Sequence, residues 1–151
     1  MNEGLVITTD KHGTITYKLN ELLHREDGPA LKLADGTKVW ELNGKRHREG
    51  GPAVEWVYGN KEWWVNGLRH RTDGPAVEFA DGSKAWWLNG LKHRIDGPAV
   101  EKANGEKEWW VNGLRHRTDG PAIKYLNGGK EWWVNGIQYT KKEFKNIIKK
   151  K

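Results

Sequence analysis

Three polar residues recur together in a form that could do chemistry: His70, Arg71 and Asp73, repeated as His93/Arg94/Asp96 and His116/Arg117/Asp119. An imidazole oriented by a carboxylate is a general base, and an arginine beside it can hold an anion. Such a base also needs a nucleophile or a metal next to it. No serine recurs beside these triplets, Thr72 becomes Ile95 in the following copy, and the chain has no cysteine. Two readings therefore stand ahead of catalysis. In one, His and Asp hydrogen-bond turn backbone while Arg packs its stem and pairs with an acidic neighbour. In the other, Arg71, Arg94 and Arg117 form an anion-binding stripe. His47, His70, His93 and His116 are one repeat apart, roughly 10 Å in a sheet, too far to share an ion at Zn–N distances of about 2 Å. No metal and no cofactor is expected.

The elements that position these residues follow a period of 23. Gly13, Gly36, Gly59, Gly82, Gly105 and Gly128 keep that spacing, as do Asn20, Asn43, Asn66, Asn89, Asn112 and Asn135. A register held without insertion through the chain marks a repeat architecture. Each unit reads as two strands: residues 76–80 turn at Asp81-Gly82, and residues 84–88 turn at Asn89-Gly90. Short apolar and aromatic runs broken by Asp-Gly and Asn-Gly are hairpin signals. The expected fold is all-β: an elongated antiparallel sheet growing by one hairpin per unit over residues 1–139, about six units with the first degenerate. Residues 140–151 read as a basic amphipathic helix, with Thr140 and Glu143 at capping-box spacing and Phe144, Ile147 and Ile148 on one side. That side is expected to cover the last hairpin.

Alternation assigns the faces. The column Trp40, Trp63, Trp86, Trp109, Trp132 shares a face with the aliphatic column of Leu88, and the two are expected to form the packed side. The column Trp64, Trp87, Trp110, Trp133 lies on the other face. It either fills a second core or stands exposed as an apolar strip flanked by Arg69, Lys92 and Arg115, suited to a protein partner or to stacking bases beside phosphates.

The residues Trp64-Val65-Asn66-Gly67-Leu68-Arg69-His70, with copies around Trp87, Trp110 and Trp133, resemble MORN repeats, which share the 23-residue period. The resemblance spans residues 13–138. Where the family usually has glycine soon after the position of His70, this chain has Arg71-Thr72-Asp73-Gly74-Pro75, and the early aromatic of the family motif is displaced. It is thus similar to a MORN variant. The resemblance implies the hairpin fold and an attachment or scaffolding role in place of enzymatic activity.

Charge narrows the partners. The net charge is +6 over 151 residues, and residues 140–151 hold six lysines against one glutamate, a balance of +5. The remaining 139 residues carry about +1, too little for a nucleic-acid-binding surface, which needs several well-placed cations. A protein partner is the first expectation and a small anionic ligand such as a nucleotide the second. Contact of the tail from Lys141 to Lys151 with nucleic acid or an anionic membrane ranks behind both. No apolar leader follows Met1 and no run is long enough to span a bilayer, so a cytoplasmic setting is expected.

Overall fold

A computed structural model describes residues 4–149. The turns set its register. The Asn-Gly pairs that begin at Asn43, Asn66, Asn89, Asn112 and Asn135 each close a two-residue hairpin with both residues at positive φ, 49° at Asn89 and 80° at Gly90, for example. This is the backbone of a type I′ turn, which matches the twist of the strands it joins. At the Asp-Gly turns the aspartate acts through its side chain, as where Ser83 N–H donates to Asp81 Oδ1 at 2.8 Å.

Among the described residues the strands form a 14-stranded antiparallel sheet whose neighbours follow chain order, with four two-stranded hairpins beside it. The result is an elongated array of tandem hairpins closed by a helix, Lys141–Lys149. It differs in one respect from a sheet that adds one hairpin per unit. The strand expected over residues 84–88 splits into Lys84–Ala85, in the large sheet, and Trp87–Leu88, in a small hairpin. Trp86 is the bend. Its N–H donates to Ala99 O of the next unit at 2.8 Å, while its carbonyl accepts from His93 N–H of its own unit at 3.1 Å. Successive small hairpins are tied in turn: Gly90 N–H donates to Arg69 O and Arg71 N–H to Trp87 O. Each unit therefore contributes one hairpin to the sheet and one to a second ribbon along the array.

The bend moves the core. The most buried apolar residues are the alanines of the Gly-Pro-Ala segments, Ala30, Ala53, Ala76, Ala99 and Ala122, and Val54, all at 0% exposure, followed by Val39, Val77, Ala85 and Ile123. Trp86 and Leu88, expected at the centre of the packed side, are only half-buried. The reason is geometric: Val77 and Ala85 lie mid-sheet with a strand on either side, and Ala76 directly precedes them, whereas residues 86–88 leave the sheet. The opposite row of the sheet alternates charge across strands, as in Lys61↔Glu78↔Lys84↔Glu101↔Lys107, each opposed pair adding favourable cross-strand contact.

Both ends differ from the middle. Val6–Thr9, a strand the 23-residue period does not announce, pairs with Ile15–Leu19 at the first edge. At the other end Thr140 and Glu143 form the capping box, with Thr140 N–H donating to Glu143 Oε2 at 2.8 Å and Glu143 N–H to Thr140 Oγ1 at 3.3 Å. Phe144 is buried and Ile147 and Ile148 are half-buried, with the helix packed on the last hairpin, Lys130–Val134 and Ile137–Tyr139. Lys150 and Lys151 of the basic tail lie outside the described residues.

Candidate functional site

The polar triplets of the sequence form a clamp that repeats with the array. Arg94 lies flat on Trp86, 4.0 Å from its ring centroid. Its Nε donates to Asp96 Oδ1 at 2.9 Å, and its Nη1 donates to Pro98 O at 3.2 Å and to Glu101 Oε1 at 3.0 Å. Arg71 makes the same set with Trp63, Asp73, Pro75 and Glu78. Arg117 lies on Trp109 and bonds Asp119 and Pro121 O, but Lys124 replaces the glutamate. Open grooves of about 590 and 570 Å³ run past these clamps, and the guanidinium groups lining them are already engaged by carboxylates, carbonyls and rings.

The histidines serve the next unit. His70 Nδ1 sits 3.2 Å from Asn89 N and 2.8 Å from Asn89 Oδ1, and His47, His93 and His116 engage Asn66, Asn112 and Asn135 in the same way. The carboxylate that would orient a catalytic imidazole is bonded to the arginine instead. Each His thus fixes the Asn-Gly turn that follows it by 19 residues. Among the described residues no three His, Asp or Glu side chains converge as metal ligands.

These clamps contribute to the acid response. Asp27, Asp73, Asp96 and Asp119 are all held below their ordinary value of 3.8, in each case chiefly by the hydrogen bond from the arginine two residues earlier. A carboxyl lowered by folding contributes stability that is fully present above its unfolded value and is lost as pH falls through its folded one. Urea midpoints should therefore hold level down to about pH 5 and fall as the lowered carboxylates take up protons, with Asp96→Asn, whose side chain is 83% exposed, reducing that drop only slightly. A loss that begins near pH 6 would show that other groups govern it.

The second tryptophan column is half-buried and interleaved with cations. Arg46 and Arg69 each lie 5.0 Å from the Trp64 ring, Arg69 and Lys92 lie 5.3 and 5.8 Å from Trp87, and Lys92 and Arg115 lie 4.7 and 5.1 Å from Trp110. Arg115 also lies 5.2 Å from Trp133. This ladder occupies the ring faces that a stacked base would use. Charge and indole are knit together by a glutamate two residues before the tryptophan. Glu62, 8% exposed, accepts from Trp56 Nε1 and Trp64 Nε1 at 3.0 Å and from Arg69 Nη2 at 3.0 Å. Burial works to raise its carboxyl, and these donors together outweigh it, leaving the net shift downward. Glu108 accepts from Trp110, and Glu131 from Trp133 and from Tyr125 Oη.

Of the four units that carry the second tryptophan, one lacks this arrangement. Ala85 stands where Glu62, Glu108 and Glu131 stand, and Phe79 where Trp56 and Tyr125 stand. Trp87 Nε1 is buried with no acceptor among the described residues. Lys92 makes no ion pair among the described residues, while Arg69 and Arg115, its counterparts, face Glu62 and Glu108. An open cavity of about 470 Å³ lies here, lined by Phe79, Ala85, Trp87 and Lys92 among others. The hairpin tips carry a further periodic feature. The residue after each Asn-Gly is exposed and apolar in most units: Leu68, Leu91 and Leu114 at 49% and Ile137 at 58%. The repeated Asn-Gly-Leu in the sequence was the available signal. Compared with known protein families and with curated proteins, the chain matches none.

Proposed function

We propose that this chain is a non-catalytic, MORN-like repeat module that attaches to a protein partner along the tips of its small hairpins. The observation that carries this reading is the apolar ridge. Leu68, Leu91, Leu114 and Ile137 recur at the pitch of the array, roughly 10 Å for two strands, and each is about half exposed. Leu68 lies across Gly90 of the next unit, where an added Cβ would come within 3.2 Å of Leu68 Cδ2, and Leu91 and Leu114 lie on Gly113 and Gly136 in the same way. The side chains are therefore held in place before any partner arrives, which reduces the ordering cost of binding. A linear apolar ridge bordered by cations suits an extended protein surface. The 23-residue period and the Trp-Val-Asn-Gly hairpins support the MORN-like assignment, and the ordered, interlocked Arg, His and Asp side chains support a structural role for the polar triplets.

The test exploits a natural substitution. Lys45 already occupies the ridge position over Gly67, with its stem carbons 3.7–3.9 Å from that glycine's Cβ site. The triple variant Leu68→Lys, Leu91→Lys, Leu114→Lys should therefore fold with a melting midpoint close to that of the parent. In affinity capture followed by cross-linking, it should lose the partner that the parent retains. Retention of the same partner at equal yield by a folded triple variant rules the ridge out.

A further inference from the structure

We propose that the cavity beside Ala85 binds a small organic carboxylate whose charged end takes the place of the missing glutamate side chain. The other units show what that place requires. At Glu62, one carboxylate accepts from an indole N–H and from the cation opposite it on the hairpin, at 3.0 Å each. In the Ala85 unit both donors remain: Trp87 and Lys92 are directly opposed on their hairpin, as Trp64 and Arg69 are on theirs. Only the acceptor has gone. A buried N–H without an acceptor costs roughly 1–3 kcal/mol. A water molecule could satisfy that N–H, but it would leave the charge of Lys92 unmatched.

The second half of the substitution shapes the ligand. Phe79 replaces the donor-bearing Trp56 or Tyr125, so the outer part of the cavity offers a hydrocarbon wall in place of a second hydrogen bond. Val77 and Val100, on the strands either side of Ala85, complete that wall. The cavity of about 470 Å³ takes a carboxylate on an aromatic or branched body of around ten heavy atoms with room to spare. Glu62, Asp81 and Glu108 also line the cavity, but Arg69, Lys84, Lys92 and Lys102 outnumber them there, and Glu62 and Glu108 are paired with Arg69 and Arg115, so the lining is net positive toward an arriving anion. One indole N–H and one ammonium match a single carboxylate better than a phosphate dianion, which would want more donors.

The inference is independent of the ridge on the hairpin tips, which lies on other side chains. It is tested on the full chain labelled with nitrogen-15, using 3-phenylpropionate as the probe and its uncharged amide as the control. The Trp87 indole N–H signal is identified as the one missing in Trp87→Phe. It should move and saturate with 3-phenylpropionate, while the amide binds at least tenfold more weakly. Ala85→Glu, which restores the side chain found in three other units, should abolish the saturable shift, and Lys92→Met should weaken binding at least tenfold. No saturable shift in the millimolar range overturns the proposal. So does equal binding of the amide, or undiminished binding by either folded variant.

Discussion

Glu62→Ala is expected to cost about 3 kcal/mol and to lower the melting midpoint by about 10 °C. The carboxylate is almost fully buried, and three donors converge on it: Trp56 Nε1, Trp64 Nε1 and the Arg69 guanidinium. Removing one acceptor that serves several buried donors strands each of them, and one of the three is charged, which is the costly direction of the change. Glu62→Gln keeps an acceptor for an indole and loses the charge, so it should forfeit roughly half as much. The Ala85 unit supplies the control. There alanine coexists with phenylalanine in place of the donor-bearing tryptophan, so adding Trp56→Phe to Glu62→Ala should cost less than the sum of the two single changes. Urea unfolding of the four proteins in that cycle measures the coupling. A single-variant loss under about 1 kcal/mol, or strict additivity, would mean that the carboxylate network does not hold the unit together.

Arg94→Ala should cost about 2–3 kcal/mol, and Arg117→Ala distinctly less. Arg94 loses its place on Trp86 at 4.0 Å, worth about 1 kcal/mol for a partly covered cation, together with donors to Asp96, Pro98 O and Glu101. Asp96 is 83% exposed and regains water at once, so its share is small. Glu101, about one-third exposed, and the proline carbonyl regain less. Arg117 keeps the ring, aspartate and carbonyl partners but faces no glutamate, because Lys124 stands in its place. Arg94→Lys retains charge without the planar fork and should fall between the parent and alanine. Equal losses at positions 94 and 117 would show that the glutamate adds nothing to the clamp. Because each unit touches only its neighbours, damage in the middle should also broaden the transition as the array divides into two shorter stacks.

These expectations rest on different parts of the molecule's legibility. The turns were local and therefore readable. Asn89-Gly90 demands two positive φ values that few other residue pairs tolerate, so the hairpins and their 23-residue register follow from the letters alone. The capping box of Thr140 and Glu143 is equally local, and the helix that it starts packs through the apolar side marked by Phe144. Pairing of each triplet arginine with an acidic neighbour was also readable, since Asp96 lies two residues from Arg94.

Which columns form the core was decided elsewhere. Strict alternation through residues 84–88 puts Trp86 and Leu88 inside, but the chain bends at Trp86 to bond the next unit with one peptide group and its own hairpin with the other. A single residue spent on that bend resets the alternation, and the centre passes to Ala76, Val77 and Ala85. Alternation puts the second tryptophan column either in a second core or on an exposed strip, and in the structure it is neither: cations from adjacent units fill the spaces between the rings. The deviation at Phe79 and Ala85 was present in the letters, yet its meaning depended on knowing that positions 56 and 62 meet across a turn. Sequence by itself determined the repeat, its turns and its closing helix, because backbone dihedrals and hydrogen bonds between near neighbours set them. The core, the cation ladder and the cavity were decided by stacking, because they depend on which side chains of successive units come within a few ångströms of one another.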